Sequence, residues 1–181
     1  MFMDSFIFAI RGVEMQKVAK FSKVSFEQFQ TGWQDSFGQN VEQAVYDALK
    51  IPVRATVGSA GYDFFSPLTF TLAPGETIKI PTGIRAEISE GWVLMIFPRS
   101  GLGFKYRLQM NNTVGIIDSD YFYSDNEGHI FIKMTNDSKE GKSVTVELGQ
   151  GFAQGLFMPF GITEDDEVSA VRNGGFGSTT R

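Results

Sequence analysis

Residues 70–97 read FTLAPGETIKIPTGIRAEISEGWVLMIF, and this stretch decides the fold. Its apolar residues recur at every second position, as in Phe70 and Leu72, which is the period of a strand with one buried face. Turn signals such as Pro74-Gly75 and Glu90-Gly91 separate the runs. Similar runs contain Ile78 and Ile80; Ile84, Ala86 and Ile88; Ile130, Ile132 and Met134; and Val144, Val146 and Leu148. The wholly apolar run Trp92 to Phe97 predicts a strand buried on both faces. Many short strands with frequent turns predict an all-β sandwich, jelly roll or barrel.

The chain before residue 50 has helical rather than strand periodicity. Asn40 is the expected N-cap of the strongest helix, whose apolar face is formed by Val41, Ala44, Val45, Ala48 and Leu49. Pro52 prevents its continuation. A shorter helix is expected to start at Ser25, with Gln28 completing a capping box. Trp33 and Phe37 are expected to pack locally.

Composition excludes several classes of function. The 181 residues contain no Cys and a single His, which excludes disulfide scaffolds and zinc sites built from Cys and His. His129 is expected at the surface. Sixteen Lys and Arg against 21 Asp and Glu give a net charge of −5, so no nucleic acid is expected as partner. No segment reaches the roughly 20 apolar residues of a membrane span, and a cytoplasmic location is expected.

Five short segments differ from scaffold sequence. They are Ala60-Gly61-Tyr62-Asp63, Pro98-Arg99-Ser100-Gly101-Leu102-Gly103, Asn112 to Tyr121, Gly151-Phe152-Ala153-Gln154 and the Gly-rich tail from Arg172. The second and fifth join an Arg to small residues, which suits an anion such as phosphate. Asp118 follows two apolar residues, and is either a general base or a carboxylate that caps a turn.

In this order and at these separations, the five segments resemble the trimeric dUTP pyrophosphatases, or dUTPases, over residues 50–181. The resemblance implies a jelly-roll-type β-barrel, three chains that share active sites, and Mg²⁺-assisted hydrolysis of dUTP to dUMP and pyrophosphate. It divides the chain into an N-terminal strand (1–21), a helical insertion (22–50), a β-barrel core (51–160) and a mobile C-terminal arm (161–181) that closes a neighbouring site.

The resemblance also implies a role for each residue around the nucleoside. Asp118 would deprotonate the attacking water, and Gln154 would help to order it. Tyr121 would lie beneath the deoxyribose and exclude a 2′-hydroxyl. Asn112, with the backbone near Gly115 and Ile117, would pair with the uracil edge.

The triphosphate is assigned to other residues by the same resemblance. Asp63 would hold Mg²⁺ through water, which suits an ion that dehydrates reluctantly. Phosphate contacts would come from Arg99, Ser100, Gly101, Arg172, Gly177, Ser178 and Thr179. Phe176 would stack on the uracil.

The chain departs from the family pattern in four places. Gly151 stands where the fourth segment usually has Arg, and one residue fewer separates Arg172 from the Gly pair. Residues 122–127 form a longer loop after Tyr121, and residues 22–50 are inserted. The insertion is expected to dock on the barrel, with a partner-binding surface as the alternative.

Two other functions are weighed against hydrolysis of dUTP. A dCTP deaminase would need an acid on the strand from Ile130 to Met134, where the chain has none. A dUTP-binding regulator acting through the helical insertion is the alternative of a different class.

Overall fold

Twelve short strands and few helices make up the part of the chain that the computed structural model describes, residues 15–170 and residue 172. The strands are β1 (Ala19–Lys23), β2 (Val53–Arg54), β3 (Tyr62–Phe65), β4 (Phe70–Leu72), β5 (Thr77–Pro81), β6 (Ile84–Ile88), β7 (Trp92–Pro98), β8 (Leu108–Met110), β9 (Gly115–Ile117), β10 (Phe131–Asn136), β11 (Val144–Val146) and β12 (Gly151–Pro159). The helices are α1 (Phe26–Phe37), α2 (Gln43–Asp47) and α3 (Ser100–Tyr106), with a 3₁₀ turn at Ser119–Tyr123.

The strands form antiparallel sheets around one apolar core. The largest sheet has the order β2-β3-β12-β7-β9, and smaller sheets pair β1 with β6, β4 with β11, and β10 with both β5 and β8. Neighbours in the sheets are mostly distant in sequence, as expected of a jelly-roll-type fold. The all-β prediction is therefore confirmed.

Alternation along the strands places one side of each in the core. Both β4 and β6 bury every second residue, and Ile130, Ile132 and Met134 are fully buried. Two details of the prediction are wrong. Leu148 lies beyond the end of β11 and is exposed. On β7, Leu94 and Ile96 are buried whereas the other residues are only half-buried, because β7 has one core-facing side.

The predicted ranking of the two N-terminal helices is wrong. The helix that begins after Ser25 is the longer, with 12 residues, and ends at Gly38 in a left-handed conformation that favours glycine. Asn40 caps nothing: α2 has five residues and begins after Glu42. Val41 is buried in a cluster with Phe29 and Trp33 of α1. The chain at Val41 is a non-helical connection between α1 and α2.

The helical insertion packs onto the barrel through an aromatic cluster. Phe29 is fully buried, and Trp33 packs between Phe29 and Phe37, so the predicted local packing of Trp33 and Phe37 is confirmed. Lys79 on β5 forms an ion pair with Asp35 of α1 at 2.5 Å. The insertion therefore lies against the barrel rather than extending from it.

His129 is buried beneath α1, which contradicts the expected surface position. Its Nε2 accepts a hydrogen bond from the Gly83 amide at 2.9 Å, and its Nδ1 has no hydrogen-bond partner among residues 15–170 and 172. Burial lowers the pKa of His129 to about 3; the charge of Glu127 acts to raise it and that of Lys79 to lower it further. The sequence signal was ambiguous because the helix that covers His129 lies about 100 residues earlier in the chain.

Two predicted segments extend beyond the described residues. Most of the predicted N-terminal strand lies in residues 1–14, outside them, and the observed β1 pairs with β6. The predicted positions Phe176, Gly177, Ser178 and Thr179 also lie outside them. None of the described helices is long and apolar enough to cross a membrane.

Candidate active site

Three of the predicted segments meet on neighbouring strands. Asp63 on β3 pairs directly with Gln154 on β12, and Arg99 follows the end of β7 on the other side of β12. The Arg99 Nη1 atom lies 3.4 Å from Asp63 Oδ2. Gln154 Nε2 donates to the Pro98 carbonyl at 3.3 Å. The Asp63 carboxylate, the Arg99 guanidinium and the Gln154 amide thus form one polar group, which we name the phosphate-side group.

Two glycines make room for this group. A Cβ at Gly61 would lie 2.8 Å from Gln154 Oε1, and one at Gly151 would lie 2.7 Å from Arg99 Nη1. The guanidinium of Arg99 therefore occupies space that any side chain at position 151 would enter. A side chain at position 151 would therefore require the Arg99 guanidinium to move, which the spacing of the motifs alone did not reveal.

Ser100 and Gly101 begin α3 directly after Arg99, and both are exposed. The Arg99 carbonyl accepts hydrogen bonds from the amides of Leu102 and Gly103. A Cβ at Gly101 would meet nothing within 4 Å, so the chain here is open to an incoming group. An anion could approach this turn without steric hindrance.

Asp118 and Tyr121 lie in a second group, at the end of β9. Arg172 contacts both neighbouring carboxylates of its own chain, Asp118 Oδ2 at 2.5 Å and Asp120 Oδ1 at 3.0 Å. Its guanidinium carbon also lies 5.7 Å from the centre of the Tyr121 ring. The predicted phosphate ligand Arg172 thus lies beside the predicted base.

Tyr121 is buried, and it is held through its hydroxyl. Its Oη donates to the His129 carbonyl at 2.7 Å and accepts from Asn126 Nδ2 at 2.8 Å. Burial raises the pKa of Tyr121, although the hydrogen bond from Asn126 and the charge of Arg172 act to lower it. The phenol is therefore neutral and its ring is fixed in place.

A pocket of about 430 Å³ opens beside β9 and is lined by the predicted residues Asn112, Gly115 and Ile117. A Cβ at Gly115 would lie 3.2 Å from Ile96 Cβ, so glycine lets β9 approach β7 closely. Sequence reasoning missed several other lining residues, among them Lys79, Ile96, Met110, Phe131 and Lys133. They come from strands whose pairing is not local, and the sequence carries no signal for it.

The phosphate-side group and Asp118 are far apart within one chain. Asp63 lies on β3 and Ile117 on β9, which are three strands apart in the order β3-β12-β7-β9. Three strand spacings amount to about 14 Å across the sheet. Asp63 is aligned through Gln154 with Phe97 on β7, whereas Ile117 is aligned with Leu94 on the same strand. Phe97 and Leu94 are three residues apart, which adds about 10 Å along the strands. The diagonal is about 17 Å. One chain therefore presents two separate polar groups.

Asp63 is the carboxylate of the described residues to which the resemblance assigns Mg²⁺. Among residues 15–170 and 172, no group of three His, Cys, Asp or Glu side chains could hold a metal by itself. Asp63 is the carboxylate of the phosphate-side group, and it is largely buried beside Arg99. One carboxylate together with substrate phosphates and water is a common environment for Mg²⁺.

The fold is that of an all-β protein of jelly-roll type, and it carries these two separate polar groups. The family model described as dUTPase matches residues 47–180. The deoxyuridine 5′-triphosphate nucleotidohydrolase of Lactococcus lactis is 45% identical over 134 residues, which cover 72% of this chain and 88% of that protein. The chain belongs to the dUTPase family.

Solved structures agree with this assignment. The crystal structure of dUTPase from Streptococcus mutans is 32% identical, with a TM-score of 0.59, and covers 80% of this chain and 98% of that chain. A structure of the Staphylococcus bacteriophage 80alpha dUTPase with dUpNHpp has a TM-score of 0.59 at 21% identity, over 87% of this chain and 100% of that chain. At that identity the likeness concerns the fold alone.

Proposed function

We propose that the protein hydrolyses dUTP to dUMP and pyrophosphate, which limits dUTP during DNA synthesis and supplies dUMP. The observation that carries this proposal is the grouping of Asp63, Arg99 and Gln154, since three separate segments of the family pattern converge there. Membership of the dUTPase family supports the same reaction.

Asp118 is the base in this proposal. Its side chain is about half exposed at the end of β9, where a water can reach it. It would take a proton from that water as the water attacks the α-phosphorus, and it would also meet the 3′-hydroxyl. Gln154 would help to orient the water.

Arg99, Ser100 and Gly101 bind the triphosphate in this proposal. The planar guanidinium suits phosphate oxygens, and the open turn at Gly101 lets them approach the backbone. Mg²⁺, which Asp63 would hold through water, supplies neutralisation of the phosphate charge. The arm residues Arg172, Phe176, Gly177, Ser178 and Thr179 would close over the γ-phosphate and the uracil. Arg172 must then leave Asp118, to which it is paired in the structure.

Nucleotide selectivity is assigned to the second group and the pocket. Asn112, with the backbone near Gly115 and Ile117, would pair with uracil, and cytosine would leave buried polar groups unpaired. Tyr121 would exclude a ribose 2′-hydroxyl because its ring is held in place through its hydroxyl.

We further propose that three chains assemble and share their sites. The separation of about 17 Å supports this assembly, because an attacking water must approach its target atom to about 3–3.5 Å. A phosphate held by Arg99 is out of reach of a water held by Asp118 of the same chain. Chains brought together can juxtapose the two groups.

The test is release of pyrophosphate from dUTP, UTP, dTTP and dCTP, with Mg²⁺ and with EDTA. We expect turnover of dUTP alone, and strong dependence on Mg²⁺. Release of ammonia from dCTP would favour the deaminase instead. Binding of dUTP without turnover would favour a regulatory role.

A further inference from the structure

The two segments in which this chain departs most from the family pattern contact each other. Ser25 caps α1 of the helical insertion, and Glu127 ends the long loop after Tyr121. Glu127 Oε2 accepts from the Ser25 amide at 2.8 Å, and its Oε1 accepts from Ser25 Oγ at 2.6 Å. The capping box expected from Gln28 is therefore completed by a residue about 100 positions away.

Glu127 also connects to the residue that follows Tyr121. Arg85 Nη1 lies 4.0 Å from Glu127 Oε2, and Arg85 Nη2 donates to the Phe122 carbonyl at 2.6 Å. The Arg85 guanidinium stacks on the Phe122 ring, 3.6 Å from its centre. Ser25, Glu127 and Arg85 thus form a polar link from the start of α1 to the backbone after Tyr121.

The loop folds back on Tyr121 itself. Gly128 has a φ of +69°, and a Cβ there would lie 2.7 Å from Phe122 Cα and 2.8 Å from the Tyr121 carbonyl oxygen. Glu127 also has a positive φ of 58°, which a non-glycine residue adopts at some cost. The hydrogen bonds to Ser25 compensate this conformation, so their loss is expected to release the loop.

The hydroxyl of Tyr121 is connected to the same helix through His129. The Tyr121 hydroxyl donates to the His129 carbonyl, and the buried His129 ring packs against α1 at Gly32 and Phe29. Helix α1 therefore supports the segment from Tyr121 to His129 through a polar link at its start and through packing on its face.

We propose that Glu127 is a positioning residue that fixes Tyr121 through Ser25 and Arg85, and that the helical insertion thereby contributes to discrimination between dUTP and UTP. This inference rests on the proposed function, because it uses the role of Tyr121 beneath the deoxyribose. It gives the insertion a task within the enzyme that does not require a partner protein.

The experiment compares kcat/KM for dUTP and for UTP in the full-length protein and in Glu127→Ala. We expect the dUTP/UTP ratio to fall by about threefold to tenfold, as is usual when a coupled contact is lost. Glu127→Gln, which keeps an oxygen that can accept from Ser25, should restore part of the ratio. The matched control is Glu140→Ala, because Glu140 is an exposed carboxylate that pairs with Lys142 at the surface.

A ratio that stays unchanged in Glu127→Ala would overturn the inference, even if thermal stability falls, because a merely structural role lowers both activities alike. An equal fall in Glu140→Ala would overturn it as well. If Glu127→Ala does not fold, Ser25→Ala is measured in its place and the same two outcomes decide. Absence of dUTP hydrolysis by the unaltered protein would instead reject the proposed function, and this inference with it.

Discussion

A mixture of two inactive variants, Asp118→Ala and Arg99→Ala, is expected to regain hydrolysis of dUTP. The sheet register places Ile117, which directly precedes Asp118, about 17 Å from Asp63 in one chain, so in the proposed assembly a complete site would draw on two chains. After random mixing in equal amounts, Asp118 is intact in half of the sites and Arg99, from another chain, in half. About one quarter of the sites then hold both residues, whereas each variant alone has no complete site.

The assay is pyrophosphate release after the two variants are unfolded together and refolded, with a different tag on each to verify mixed assemblies. A second mixture sharpens the test. Wild-type chain mixed with the double variant should retain about one quarter of the sites if they are shared between chains, but about one half if each site lies within one chain. An inactive mixture of single variants, with half activity in the second mixture, would refute the reasoning.

Three further predictions concern the base, the buried histidine and the helix that covers it. Asp118→Asn should keep nucleotide binding but lose about 100-fold or more in kcat, as for loss of a general base, measured by steady-state kinetics and calorimetry. Because burial lowers the pKa of His129 to about 3, the unfolded chain takes up a proton below its ordinary pKa while the folded chain does not. The contribution of His129 to the free energy of unfolding should therefore be complete above the ordinary histidine pKa of about 6.5 and decrease as the pH falls below it. In urea titrations we expect the free energy of unfolding to fall by about 2 kcal/mol between pH 7 and pH 5, and to change little over the same range in His129→Gln. Gly32→Ala should destabilise the fold by about 1–3 kcal/mol, because the new Cβ would lie 2.8 Å from both the His129 and Phe131 rings.

Each of these predictions has an outcome that contradicts it. Undiminished turnover in Asp118→Asn would remove Asp118 as the base. The chain has a single His, so an equal pH dependence in His129→Gln would assign the effect to carboxylates. For Gly32→Ala the matched control is Gln34→Ala, an exposed position on the same helix. Stabilisation by both substitutions would show that helix propensity outweighs the contact with His129.

Local patterns predicted most of the strands, and the resemblance of five segments to the dUTPase pattern supplied the candidate site residues. Alternation identified the strands from Phe70 to Ile88 because one face of each must be buried, and this requirement appears in the residues themselves. The motif that contains Arg99 is weak by itself, and it was recognisable because it stands in order with four other segments of the dUTPase pattern. The errors occurred where burial depends on residues far away in the sequence. Leu148 was predicted in a strand but lies beyond its end, and Asn40 was predicted to cap a helix but precedes Val41, which is buried in the cluster of α1.

The sequence by itself determined the all-β class, the family and the chemical identity of the candidate site residues, because periodicity, turn residues and motif spacing are properties of neighbouring positions. Only the tertiary structure decided that Arg99 lies against Gly151, that His129 is buried beneath α1, and that Glu127 caps a helix about 100 residues away. It also separated Asp118 from the phosphate-side group. Strand order, register and helix docking bring remote residues together or keep them apart, and those distances arise only when the whole chain packs around its core.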